Sequence, residues 1–173
     1  MKNILSNKFA FLTALVFGAA LTRLLPHYPN FTAIGAAALF GGACFEKKWM
    51  AVLVPFAALF LTDAIIGFHT TMFAVYLSFG ITILIGLTLR ERKSILTVAG
   101  GSVISSVIFF VVTNFAVWGV EGYYPKNTAG LSACFTAAIP FFGTTLLGDL
   151  LFTAVLFGSL ALAKKKIPAL SLS

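Results

Sequence analysis

The chain has little of what a soluble enzyme presents to water. Only 10% of its 173 residues are charged, with five Asp and Glu, twelve Lys and Arg, two His and two Cys. Two cysteines, Cys44 and Cys134, are too few for a disulfide framework, and no Cys or His cluster has metal-ligand spacing. No metal site and no cofactor are expected. A Gly-rich phosphate loop with its Lys is missing, and so is a Gly-x-Ser-x-Gly elbow. The chain therefore has no sequence basis for hydrolysing ATP or for serine-hydrolase chemistry.

What is present is apolar. Hydrophobic residues make up 60% of the chain, and the mean hydropathy is +1.01. That is more apolar surface than a soluble domain of this length can hide. The composition predicts an all-α, polytopic integral membrane protein forming a single transmembrane domain over residues 1–173. The net charge of +7 does not point to nucleic acid, because the basic residues fall in short segments between apolar runs.

A bilayer core of roughly 30 Å needs about 20 apolar helical residues. Charge clusters and turn residues divide the chain into six such spans, at about 9–25, 29–45, 49–68, 72–89, 95–119 and 141–163. The second is extended to Pro29, which suits a first helical turn. The last apolar run is too long for one span, so Pro140 predicts a break, with residues 132–139 as an outer helical cap. With the N-terminus inside, Lys2, Lys8, Lys47, Lys48, Arg90, Arg92, Lys93, Lys164, Lys165 and Lys166 are cytoplasmic, and only Arg23 and Lys126 lie outside. This positive-inside bias predicts both termini in the cytoplasm. It also separates Cys44, at the inner end of the second span, from Cys134 in the outer cap. A signal peptide is the alternative reading of the N-terminus, since Lys2 and Lys8 precede an apolar run ending at Gly18-Ala19-Ala20.

On this topology the polar side chains converge on the outer half. Asp63 lies late in the third span, Asn114 near the end of the fifth, and Asp149 about two turns into the sixth. Arg23, His27 and Asn30 bracket the first outer loop, and His69 follows the third span. Ionisable groups at membrane depth need a partner or a function. Together with Trp118, Phe141 and Phe142 as stacking surface, the set predicts an outward-facing site for a small-molecule substrate. Arg23 would bind an anionic group or clamp Asp63. The alternatives are an interfacial aromatic belt for most of the rings and a purely structural ion-pair network for the charges, with Arg23 pairing with Asp63 or Asp149.

Small residues recur every four positions at Ala10, Ala14 and Gly18, at Ala33, Ala37 and Gly41 with Ala38 and Gly42 beside them, and at Gly101 with Ser105 and Ser102 with Ser106. Such faces let helices approach closely in lipid. The first stripe could instead serve for partner docking.

Four segments carry a resemblance: RLLPHYPNFTAIGAAALFGG at 23–42, LTDAIIGFH at 61–69, FFVVTNFAVW at 109–118 and AIPFFGTTLLGDL at 138–150. Together they resemble an uncharacterised bacterial family of transport proteins, itself similar to the substrate-binding (S) components of energy-coupling factor (ECF) vitamin transporters. The resemblance covers nearly the whole chain. It implies a six-helix bundle in the bacterial inner membrane that captures a vitamin or cofactor precursor from outside. It also implies docking on an ECF-type transmembrane coupling subunit with its ATPases, through an Ala-x-x-x-Ala stripe matching Ala10 and Ala14, or Ala14 with Gly18 in place of the second Ala. The expected function is membrane transport rather than enzymatic. The alternatives are an intramembrane enzyme using Asp63, Asp149 and His69, or a structural membrane protein.

Overall fold

The computed structural model describes residues 2–167, with side chains from Asn7 onward; the side chain of Lys2 and residues 168–173 lie outside that description. The described residues form six helices and no strand: α1 Lys2–Leu21, α2 Ile34–Cys44, α3 Lys48–Ile66, α4 Met72–Thr88, α5 Ile95–Val120 and α6 Thr128–Lys166, with a 3-10 turn at Thr22–Leu24 after α1. Of these, α3, α5 and α6 are long and apolar enough to cross a membrane, while α2 and α4 are shorter apolar helices. Consecutive helices run up and down, so Lys47, Lys48, Arg90, Lys93 and Lys164 gather at one end. Arg23, Asp63, His69 and Lys126 belong to the other.

Three elements differ from expectation. The first helix ends at Leu21 rather than about residue 25, because residues 22–24 tighten into the 3-10 turn. The second helix does not reach back to Pro29; it begins at Ile34. Residues 28–31 are taken by a turn in which the Phe31 N–H donates to the Tyr28 carbonyl (3.0 Å). Asn30 stands at its third position with φ of 62°. Proline second and a positive φ third define a type II turn, a conformation Asn tolerates better than most residues. The sixth helix, by contrast, is not broken. It runs through Pro140 as one element of 39 residues, roughly 58 Å long at 1.5 Å per residue. The residues expected as a separate cap at 132–139 are its second and third turns. A proline costs one backbone hydrogen bond and some crowding, but apolar surroundings penalise any further unpaired backbone, so the rest of the ladder is retained.

The core is organised around α2. Eight of its eleven residues, Ala36 to Ala43, are buried, and it contacts each of the other five helices. Its sequence explains this, because Gly and Ala along the helix let neighbours approach to backbone distance. A Cβ on Gly42 would fall 2.3 Å from the Ile83 carbonyl oxygen, and one on Gly86 would fall 2.3 Å from the Leu39 carbonyl oxygen. The α2–α4 contact is thus a glycine-on-glycine crossing. Phe40 fills the opposite side and meets Phe157 edge-on at 5.2 Å. Gly101, Ser102, Ser105 and Ser106 are likewise buried on α5, so these small-residue faces serve packing within the bundle. The α1 stripe differs: Ala10, Ala14 and Gly18 all face outward and exposed.

Candidate functional site

At the end away from the lysines, the last turns of α3 meet the 3-10 turn after α1. Arg23 Nη1 lies 2.7 Å from Asp63 Oδ1 and donates to Thr62 Oγ1 at 2.7 Å. Thr62 in turn donates to the Leu59 carbonyl at 2.9 Å. The pair is deeply set, with side-chain exposures of 16% for Arg23 and 6% for Asp63. Tyr76, from α4, lies beside Asp63. Its hydroxyl and Asp63 Oδ2 are nevertheless both buried without a hydrogen bond of acceptable geometry. Arg23, Asp63 and Tyr76 therefore form one cluster from three elements.

Asp149 belongs to a second cluster. Since α6 begins at Thr128, Asp149 lies roughly six turns in, near the middle of the helix rather than two turns from its outer end. Ser106 on α5 donates to its Oδ2 at 2.7 Å, and the Ala36 N–H is directed at the carboxylate. A Cβ on Gly35 would stand 2.3 Å from Asp149 Oδ1, so the carboxylate occupies space that only glycine leaves open. Ala33, the residue preceding α2, supplies no side-chain cap. Asp149 takes that place from another helix: it sets a negative charge against the unpaired N–H groups and positive dipole end of α2. It makes no ion pair with Arg23.

The other expected binding residues have local partners. His27 Nδ1 donates to the Leu25 carbonyl (2.6 Å), and His69 shares a hydrogen bond with Thr71 (3.2 Å). Asn114 donates back to its own helix at the Phe110 carbonyl (2.7 Å). Trp118 Nε1 donates to the Pro125 carbonyl (2.9 Å), and Lys126 donates to the Trp118 carbonyl with its ammonium 5.8 Å from the indole ring. These bonds close the α5–α6 connection. Phe142 packs on Phe110 at 4.9 Å, whereas Phe141 is exposed. Cys44 and Cys134 are both free.

Sequence reasoning passed over Arg90, which was read as a generic inner charge. Its guanidinium donates to the carbonyls of Gly42 (3.0 Å), Phe45 (2.6 Å) and Glu46 (3.1 Å). It caps the C-terminus of α2 as Asp149 caps the N-terminus. Nothing local in sequence announces either contact, since the partners are 44 or more positions apart.

Two cavities open at the lysine-bearing end. One of about 260 Å³ lies beside Lys8, whose ammonium pairs with Glu46 at 2.9 Å. The other, about 540 Å³, runs between α5 and α6 from Lys93 and Lys164 to Leu150 and Thr153. Neither is lined by any of the ten residues expected to bind substrate. At the other end, Arg23 is held by Asp63 and Thr62, and the loop before α2 is laid on α6 by the Thr144 hydroxyl, 2.8 Å from the Pro29 carbonyl.

These features define a helical bundle of membrane type, with charged groups neutralised inside an apolar shell. The chain belongs to the family of unknown function DUF6580, whose model matches residues 3–170. No curated protein and no solved structure matches it.

Proposed function

We propose that the chain is a six-span protein of the bacterial inner membrane with both termini cytoplasmic. In this reading it is a substrate-capture subunit or small-solute transporter, binding a vitamin-like or cofactor-precursor molecule from the outer side. One observation carries it: beside the Arg23–Asp63 pair, Asp63 Oδ2 and the Tyr76 hydroxyl are buried next to one another and make no well-formed hydrogen bond, to each other or to any other group. Each such group costs about 1–3 kcal/mol while unpaired, and a ligand with a complementary donor and acceptor would recover that. The short α2 leaves the space beyond its N-terminus to the loop at residues 25–33, which would lift, admit the ligand and close over it. Arg23 would then share its charge between Asp63 and an anionic group of the substrate. The outward-facing Ala10, Ala14 and Gly18 support docking on a coupling subunit, as the likeness to S components implies.

The purified full-length chain tests the reading. A panel of vitamins and precursors is screened for a rise in melting temperature, which a ligand specific to the folded state must cause. Tyr76→Phe should change the unliganded melting temperature little, because the hydroxyl makes no well-formed bond to the adjacent Asp63 carboxylate, while reducing the ligand-induced rise. A panel with no active member, alongside stabilisation by a protein partner, would count against substrate capture. A structural reading is favoured at one point, Asp149, whose partners account for its presence without a ligand. For the outer cluster, the two readings separate on exchanging Arg23 and Asp63: a pure ion-pair network survives the exchange.

A further inference from the structure

The groove between α5 and α6 at the lysine-bearing end is an unassigned feature with its own chemistry. It is lined by the start of α5, at Ile95, Val98 and Ala99, and by the second half of α6, from Leu150 to Lys164, and its volume is about 540 Å³. Its walls are almost wholly apolar, and no Asp or Glu lines it. Lys93 and Lys164 stand together at its mouth, and neither makes an ion pair among the described residues. Partial burial of its ammonium holds Lys93 below the ordinary lysine value, and the nearby Lys164, Lys8 and Arg90 act in the same direction. The neighbouring cavity differs, because there Lys8 is already neutralised by Glu46.

From Lys164 to Leu150 the groove follows α6 for roughly 21 Å, close to the depth of one leaflet with its headgroup layer. Two unpaired cations above an apolar slot of that depth complement an amphiphile with a phosphate head and an acyl tail. We propose that this groove is a binding site for one anionic phospholipid, its phosphate between Lys93 and Lys164 and its chain lying along α6 from the start of α5. The site goes beyond the substrate reading and shares no residue with it. It requires only that these helices sit in lipid.

Gly158 offers a way to close the groove, since a Cβ there meets nothing within 4 Å. The full chain, delipidated in neutral detergent, is titrated with phosphatidylglycerol or with phosphatidylcholine of the same acyl chains, and retained lipid is counted by native mass spectrometry. One phosphatidylglycerol should remain bound in preference to phosphatidylcholine. Lys93→Gln with Lys164→Gln should weaken its retention on the order of thirtyfold, about fivefold per lysine. Lys93→Arg with Lys164→Arg should keep it. Gly158→Phe should abolish it, while Lys48→Gln, at the same end but outside the groove, should leave it unchanged. Equal retention of the two lipids, unchanged retention in the double glutamine variant, or displacement of the lipid by inorganic phosphate at matched concentration would each overturn the proposal.

Discussion

Asp63 and Asp149 are nearly equally buried, at 4% and 6% exposure, yet the bundle makes them tolerable by different means. Asp63 has a full counter-charge in Arg23. Asp149 has none; it relies on a serine hydroxyl and on the N-terminal end of α2. A salt bridge confines two charges to one place and leaves each costly without the other. A helix terminus instead spreads its partial charge over several N–H groups and needs no second ionised side chain. The first arrangement retains an unpaired carboxylate oxygen beside Tyr76, and the second uses a carboxylate to finish a helix. Equal burial of the same residue type therefore does not imply the same role.

The largest expected effect breaks the first arrangement. Arg23→Leu strands the Asp63 carboxylate and should lower stability in detergent unfolding by about 3–5 kcal/mol, much of which Arg23→Leu with Asp63→Leu should restore. Next is the opposite end of α2. Arg90→Ala removes three charge-assisted bonds to carbonyls and should cost about 3 kcal/mol by the same measurement, given that such bonds are worth roughly 1.5–3 kcal/mol and are not additive.

A smaller effect sharpens the reading of Asp149. Gly35→Ala places a Cβ where the carboxylate stands, so it should displace the cap and cost about 2 kcal/mol, comparable to Asp149→Ala. In the Asp149→Ala background the same change should cost little, and a double-mutant cycle measures the difference. If the two costs simply add, Asp149 is not acting through the end of α2. The smallest effect concerns Asn30. At its φ of 62°, Asn30→Gly should be near neutral and Asn30→Val should cost about 1 kcal/mol or more, read from melting temperature.

Much of the architecture was legible before any coordinates. The apolar runs and basic clusters mark six helices, and the ends of α3, α4 and α5 fall within two residues of where charge and turn residues place them. Arg23 was foreseen as a partner for Asp63 or Asp149, because few cations were available outside the lysine clusters; the structure decides for Asp63. Asn30 carried a readable signal in the Pro29-Asn30 pair, which specifies a turn as readily as it suggests a binding group. Pro140 misled, because the rule that proline ends helices comes from chains whose freed carbonyls can turn to water. Arg90 looked like one more inner charge, since a cap supplied from the remote α4–α5 connection leaves no spacing to find.

By itself the sequence determined that this chain is helical and of membrane type, where most helices lie, and that its few acids would need neutralising. Those properties follow from transfer energies and local periodicity, which act residue by residue. Only the tertiary structure decided which group neutralises which acid, that α2 stops short and is finished at both ends by residues remote in the chain, and that a groove opens between α5 and α6. Those depend on distances between residues remote in the chain, and composition does not encode them.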